Sequence, residues 1–139
     1  MVMLDGPCQS LPHEQVFARL GVSNIAGIGV FAIRAIPAGT NIFGNDQRSI
    51  NWVDAAVLDD FPDTSAEKSL YDDFGVRRGD RIGCPTNFNL LTVGWYLNEP
   101  PEGQSANVRM TEDFQMIAVR EIAEGEELTI LYDSFSKSD

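Results

Sequence analysis

Hydrophobic and polar residues alternate in short stretches along much of this chain. Residues 16–20 alternate and are rich in strand-forming side chains, and residues 30–33 form a short apolar run after a turn-like stretch. Two other apolar stretches flank the polar triplet Thr111-Glu112-Asp113, which indicates a β-hairpin. The same pattern predicts short strands at residues 41–43, 106–110, 114–119 and 128–132. We therefore predict a mostly β protein with short helices.

The middle of the chain differs, because its apolar residues recur at helical spacing. Thr64 to Glu67 fits a capping box, in which the Thr64 hydroxyl accepts a hydrogen bond from the Glu67 N–H. The spacing that follows predicts a helix over residues 65–74. Residues 52–58 are predicted to form a second short helix, and residues 77–80 a polar turn.

The length of 139 residues fits one domain. Residues 1–15 contain glycine and prolines without a clear period, so we expect an irregular N-terminal lead-in. A single domain is predicted over residues 16–135, and its middle, about residues 50–80, is interpreted as a partly helical insertion. Residues 136–139 are predicted to be a polar tail.

Two stretches that lie far apart in the chain resemble each other. FAIRAIPAGTNI, at residues 31–42, aligns without a gap with IAVREIAEGEEL, at residues 117–128. Four aligned pairs are identical: Ala32 and Ala118, Arg34 and Arg120, Ile36 and Ile122, Gly39 and Gly125. Each stretch has the pattern of a strand, an isoleucine, a glycine turn and another strand. The likeness is either a coincidence of two common patterns or the sign of two related β-turn-β units.

Acidic residues outnumber basic ones, 21 against 10, and the net charge is −11. This argues against direct nucleic-acid binding and against attraction to an anionic membrane, because both need a basic surface. An acidic surface suits a basic protein or peptide as partner, although it also simply keeps a protein in solution.

Cysteine and histidine are scarce. Cys8 and Cys84 are far apart and allow at most one isolated disulfide, and His13 is the sole histidine. No zinc-cysteine cluster or multi-histidine metal site can be built from them, so we expect no metal. No stretch has the pattern of a membrane span or a secretory signal, so we expect a cytoplasmic protein.

A glycine pair begins the first candidate motif. Residues 27–32 match G-x-G-x-x-A, but the dinucleotide-binding interpretation needs a long helix next, and Pro37 would break it. What is left is either a plain turn or a loop whose backbone is open to a ligand. Two other stretches carry polar groups among aromatic or apolar residues: Gly94 to Pro100, with Asn98, and Gly125 to Tyr132. Alone, each could be an ordinary part of the core.

In this order, the three motifs resemble those of the SET-domain family of protein lysine methyltransferases. The resemblance covers about residues 16–135 and is strongest at residues 27–39 and 94–132. It implies a β-clip-like fold of small curved sheets, with a pseudoknot formed where the C-terminal segment threads under the Asn98 loop. It also implies that S-adenosylmethionine binds on one face and that the substrate lysine enters a narrow channel from the other.

The resemblance also implies roles for individual residues. Backbone groups of four residues would contact the methionine part of the cofactor: Gly27, Ile28, Gly29 and Val30. Asn98 and the backbone of Glu99 would hold the cofactor's amino group and adenine. Tyr132 would be the active-site tyrosine. Phe135 would stack near the adenine or form a wall of the channel.

Several positions depart from the family pattern. The chain has Asn98-Glu99-Pro100 where the family usually has Asn-His-Ser, and Leu131 where it often has Asp. A tyrosine common in the family is not found at residues 43–46, and the cysteine-rich segment that closes the channel in many members is absent. The channel would then be closed by Phe135 and its neighbours, closed by the second subunit of a homodimer, or left open.

Two functional hypotheses follow. The first is a stand-alone S-adenosylmethionine-dependent enzyme that methylates a lysine of a basic protein or peptide. The alternative is a catalytically degenerate module of the same fold that binds cofactor or peptide without turnover.

Overall fold

The computed structural model describes residues 11–44, 46 and 50–132. Within this part the chain forms eight short strands, one α-helix and three 3-10 helices, which confirms the predicted mostly β class. The strands are β1 (Ala18–Val22), β2 (Ile28–Ala32), β3 (Asn51–Asp54), β4 (Val76–Arg78), β5 (Arg81–Cys84), β6 (Val108–Met110), β7 (Met116–Ala118) and β8 (Glu127–Leu128). The helix α1 spans Ala66–Phe74, and the 3-10 helices span Ala55–Asp60, Phe88–Leu90 and Val93–Tyr96.

The strands form three small antiparallel sheets. β2 lies between β1 and β8, β5 lies between β3 and β4, and β6 pairs with β7 as the predicted hairpin. In the first sheet, Val30 is opposite Leu20 on one side and opposite Leu128 on the other. The main hydrophobic core includes residues from this sheet and from the β6–β7 hairpin, and a smaller cluster around Leu58 and Ile82 lies beside β5.

The two similar stretches meet in the structure. Ile36 and Ile122 exchange two backbone hydrogen bonds of 2.8 Å each, and both side chains are fully buried. Complete burial of an isoleucine stabilises a fold by about 1.5–3 kcal/mol. The aligned isoleucines therefore join the two halves of the domain at the centre of the main core.

The aligned glycines make equivalent contacts as well. Gly39 N donates to Ala118 O, and Gly125 N donates to Ala32 O, both at 2.8 Å. The φ angles of these glycines are +87° and +86°, a conformation that favours glycine. Each glycine thus links its own turn to the backbone of the other β-turn-β unit. Because equivalent contacts run in both directions, the two units are related by a local pseudo-twofold symmetry.

The segment from Glu127 to Ile130 has backbone partners on two sides. β8 pairs with β2, and the two residues after β8 form parallel bridges with another segment, Thr129 with Asn98 and Ile130 with Val108. Two backbone hydrogen bonds of 3.0 Å hold this second side, from Val108 N to Thr129 O and from Ile130 N to Asn98 O. The segment therefore passes between β2 and residues 98–108, as expected for the C-terminal pseudoknot.

The predicted helix at residues 52–58 is wrong in its first half. Trp52 and Val53 belong to β3 and pair with Gly83 and Ile82 of β5. The helical turn starts only at Ala55, because the Asp54 side chain accepts a hydrogen bond from the Ala56 N–H and caps it. Aromatic and β-branched residues at 52 and 53 favour a strand once a partner strand is present.

The helix predicted at residues 65–74 is confirmed to within one residue, but its cap differs. Ser65, not Thr64, is the N-cap, and its Oγ accepts a hydrogen bond of 3.1 Å from the Lys68 N–H. Thr64 itself lies within a turn, which the hydrogen bond from Ser65 N to Pro62 O closes. No helix in the described part of the chain is both long and apolar enough to cross a membrane.

Two further predictions need correction. The turn predicted at residues 77–80 is confined to Gly79 and Asp80, because β4 continues through Arg78. Gly79 has a φ of +60°, which allows this tight connection. Of the strand predicted at residues 41–43, only Asn41 forms a bridge, with Ile117, and the residues after it turn away.

Candidate active site

A loop between β1 and β2 carries the glycine pair. Ser23 fixes this loop, because its Oγ accepts hydrogen bonds from the N–H groups of Ile25 and Ala26, at 2.9 and 3.2 Å. Gly27 has a φ of +45°, and a Cβ placed on it would meet no atom within 4 Å. The backbone at Gly27 is therefore open, as a loop that receives a ligand must be.

The amide of Asn98 reaches this loop. Asn98 Nδ2 lies 3.1 Å from Ala26 O and 3.2 Å from Ile28 O, so it spans the residues on both sides of Gly27. It also lies 3.2 Å from Ser23 Oγ and 3.0 Å from Glu127 Oε2. The structure thus brings the first two motifs into contact and adds the acidic turn of the third.

Glu127 is the charged member of this group. Both of its carboxylate oxygens lie 2.9 Å from Ser23 Oγ, and the side chain is packed against the backbone of Gly29. A Cβ on Gly29 would lie 2.2 Å from Glu127 Oε2, so only glycine leaves room for the carboxylate there. Among the residues that the structure describes, no basic side chain forms an ion pair with Glu127.

Val30 occupies a different environment from the glycines before it. Its side chain is fully buried in the main core, and its backbone lies between two partner strands, opposite Leu20 and Leu128. Ile28, by contrast, is half exposed. The accessible part of the glycine motif is therefore its beginning, at Gly27 and Ile28.

Tyr132 contacts both neighbours of Asn98. Its Oη donates a hydrogen bond of 3.0 Å to Leu97 O, and its backbone N–H donates one of 2.8 Å to Glu99 Oε2. Burial raises the pKa of the Tyr132 phenol, and the charge of Glu99 raises it further. The hydroxyl is therefore protonated at neutral pH, and the three motifs meet along residues 97–99.

Tyr132 also lines a cavity of about 220 Å³. Three further aromatic side chains line it, together with two carboxylates of α1: Phe74, Trp95, Phe114, Asp72 and Asp73. Leu97 belongs to this cavity, whereas the next residue, Asn98, reaches the glycine loop. The Asn98 segment therefore lies between an aromatic cavity and a polar loop.

Sequence analysis did not single out two residues that organise this site, Ser23 and Asn107. Asn107 is 2% exposed, and its amide accepts from Thr129 N at 2.8 Å and donates to Glu127 O at 2.9 Å. It therefore holds the C-terminal segment next to β6. The burial of Asn107 is visible only in the structure, so the sequence carried no signal for this role. Phe135, predicted to lie near the adenine or the channel, is outside the described residues.

Known proteins resemble this chain in sequence pattern and in fold. The family model described as the SET domain matches residues 27–133. The crystal structure of a Plasmodium falciparum protein described as a histone methyltransferase has a TM-score of 0.52 and 15% sequence identity; the match covers 83% of this chain and 91% of that one.

A second solved structure is a humanized mutant of the Chaetomium thermophilum Polycomb Repressive Complex 2 bound to the inhibitor GSK126. Its TM-score is 0.56 and its identity 18%; the match covers 88% of this chain but only 16% of that much longer one. At such identities these likenesses concern the fold. No curated protein matches the chain.

Proposed function

The chain belongs to the SET-domain family, and on this premise we propose that it is an S-adenosylmethionine-dependent protein lysine N-methyltransferase. The observation that carries the proposal is the meeting of three motifs at residues 97–99. Asn98 contacts the glycine loop, while Leu97 and Glu99 bind Tyr132. The glycine loop and an aromatic cavity thus share one segment, which supports a cofactor site beside a substrate channel.

The residues of the glycine loop fit the cofactor. Open backbone at Gly27 and the acceptor groups around Asn98 suit a ligand that carries an ammonium group. We propose that Gly27, Ile28, Gly29 and Asn98 hold the methionine part and that the Glu99 backbone contacts the adenine. When bound, S-adenosylmethionine supplies a methyl group on a positively charged sulfonium.

The cavity beside Tyr132 suits the side chain of a lysine. Its lining is aromatic and apolar apart from Asp72 and Asp73, so it can enclose the aliphatic stem. Lysine has an ordinary pKa of about 10.4, and the amine must lose its proton before it can attack a methyl group. Asp72 and Asp73 favour the ammonium form and suit the capture of a cationic lysine, whereas the aromatic and apolar part of the lining disfavours the ammonium form and lowers that pKa, so that the proton passes to water more readily there.

Tyr132 acts in this mechanism as an orienting group. Its raised pKa makes the phenolate too scarce at neutral pH to serve as a general base. We propose that its hydroxyl, which donates to Leu97 O, instead fixes the geometry of an amine that enters the cavity lined by Tyr132. Catalysis then depends mainly on alignment and desolvation of the reacting groups.

We further propose a basic protein or peptide as the substrate and the cytoplasm as the location. The net charge of −11 favours encounter with a cationic partner, and the free buried thiol of Cys84 suits a reducing compartment.

The test is transfer of labelled methyl from S-adenosylmethionine to an array of lysine- and arginine-rich peptides, for the wild type, Tyr132→Phe and Tyr96→Phe. We expect label on lysine with the wild type and a loss on the order of 10²-fold with Tyr132→Phe, the size of effect that a small misplacement causes. Tyr96, whose ring packs on Phe74, is the matched control and should keep full activity. Equal turnover in wild type and Tyr132→Phe would overturn the role of Tyr132.

Isothermal titration with S-adenosylhomocysteine separates the enzyme from the degenerate module. Binding without any transfer of label would favour the module, which the replacement of the usual His-Ser by Glu99-Pro100 motivates. Absence of binding at millimolar ligand would overturn the cofactor assignment.

A further inference from the structure

Hydrogen-bond acceptors outnumber donors around the side chain of Asn98. Four acceptors lie within 3.2 Å of its Nδ2 atom: Ser23 Oγ, Ala26 O, Ile28 O and Glu127 Oε2. Ser23 Oγ already accepts hydrogen bonds from the Ile25 and Ala26 N–H groups, so three acceptors remain for the two hydrogens of the amide nitrogen. We call these four atoms the acceptor cluster.

The acceptor cluster also carries a negative charge. Glu127 is half-buried, and the single hydroxyl hydrogen of Ser23 is shared between its two oxygens. Within the described part of the chain, no Lys, Arg or His side chain pairs with this carboxylate. A carboxylate that is partly withdrawn from water gains most from a cation that also donates hydrogen bonds.

The neighbouring Glu126 shows the contrast. Its carboxylate is already bound by the Arg120 guanidinium and accepts a hydrogen bond of 3.0 Å from the Ala123 N–H. The Arg120 side chain holds the pKa of Glu126 below its ordinary value. Two adjacent glutamates thus differ, because one is neutralised by its own chain and the other faces the open glycine loop.

We propose that Glu127 is the counter-ion of the cofactor's α-ammonium group and that Ser23 fixes its carboxylate in that position. The inference rests on the proposed function, since it assumes that S-adenosylmethionine binds this loop. A primary ammonium has three donor hydrogens and one positive charge, which match the surplus acceptors and the unneutralised carboxylate. Gly29 is then required because it leaves space for Glu127.

The experiment compares two ligands by isothermal titration. S-Adenosylhomocysteine carries the α-ammonium, whereas 5′-methylthioadenosine has the same nucleoside and sulfur but lacks the amino-acid part. We expect Glu127→Gln to weaken the first ligand by about 10- to 100-fold, the range for loss of a charged hydrogen bond, and to change the second by less than about twofold. Glu126→Gln is the matched control and should leave both affinities unchanged.

Several outcomes would overturn the inference. An equal loss for both ligands in Glu127→Gln would mean that Glu127 only maintains the loop, and no loss for either would mean that it does not face the ammonium. A wild type that binds 5′-methylthioadenosine but not S-adenosylhomocysteine would also contradict it. A wild type that binds neither ligand would instead overturn the proposed function itself.

A second variant keeps the test decisive if Glu127→Gln does not fold. Ser23→Ala leaves the carboxylate in place but removes the hydroxyl that orients it, together with the acceptor of the Ile25 and Ala26 N–H groups. We expect a selective loss of S-adenosylhomocysteine affinity of about three- to tenfold, the size for one neutral hydrogen bond. An unselective loss would again contradict the proposal.

Discussion

Two glycines of one loop are needed for different physical reasons. Gly27 has a positive φ, and the space beside its Cα is open, so the constraint there is the backbone conformation. Gly29 lies in β2 opposite Gly21, and the constraint there is the carboxylate of Glu127. The G-x-G pattern therefore combines a conformational requirement with a steric one.

This difference predicts that alanine affects stability at one position and ligand binding at the other. Gly27→Ala should lower the free energy of unfolding by about 1–2 kcal/mol, because a side chain disfavours the left-handed region. Gly29→Ala should change it by less than about 1 kcal/mol, since the flexible end of Glu127 can move aside, but it should weaken S-adenosylhomocysteine binding. Thermal unfolding and titration measure the two quantities, and wild-type affinity in Gly29→Ala would contradict this account.

The sequence indicated which motifs matter but not how their residues meet. Asn98 and Tyr132 could be named through the resemblance of the three motifs to the SET-domain family, and their roles as cofactor and active-site residues stay predictions. Ser23 could not be found in this way, because its partner Glu127 is 104 positions later. Asn107 likewise binds Thr129, 22 positions away, and a lone asparagine carries no sign of such a partner.

At the scale of elements, the N-cap of α1 can be tested directly, because the structure assigns it to Ser65 rather than to Thr64. Ser65→Ala should lower the free energy of unfolding by about 1 kcal/mol, because Lys68 N loses its capping acceptor. Thr64→Ala is the matched control and should have little effect, since Thr64 is exposed and precedes the cap. Chemical denaturation of both variants distinguishes them, and the reverse order of effects would restore the capping box predicted from the sequence.

Helix α1 and strand β3 show why some elements could be predicted and others could not. Residues 66–74 carry their own helical information, in the cap, the spacing and the final glycine. Trp52 and Val53 form a strand because they pair with β5, some thirty positions later. Local patterns are therefore sufficient for α1, whereas pairing between remote segments decides β3.

The paired units predict a strong dependence on Ile36 and Ile122. Ile122→Ala and Ile36→Ala should each lower the free energy of unfolding by about 2–5 kcal/mol, as expected for large-to-small changes at fully buried sites. The double variant should lose less than the sum of the two, because both side chains belong to the same core and their backbones pair. Additive losses would show that the two units are energetically independent.

At the scale of the whole molecule, the net charge predicts how the rate of association with the proposed substrate depends on salt. The net charge of −11 should accelerate encounter with a basic peptide at low ionic strength. Raising salt from about 0.01 to 0.1 M shortens the screening length from about 30 to about 10 Å, so kcat/KM should fall several-fold. The internal control is kcat, which should change little because the bound complex is already formed. A kcat/KM that is independent of salt would exclude electrostatic steering.

The enclosed segment after Gly125 also constrains how the protein acquires its site. Its contacts join Glu127 to Ser23, Thr129 to Asn107, and Tyr132 to Leu97, all across long separations in the chain. We expect contacts of this kind to form late in folding, because each must first overcome the entropy of closing a long loop. We therefore expect a partly folded chain to hold neither Glu127 nor the Tyr132 phenol in position, so that the proposed site is assembled in the last step of folding rather than gradually with compactness.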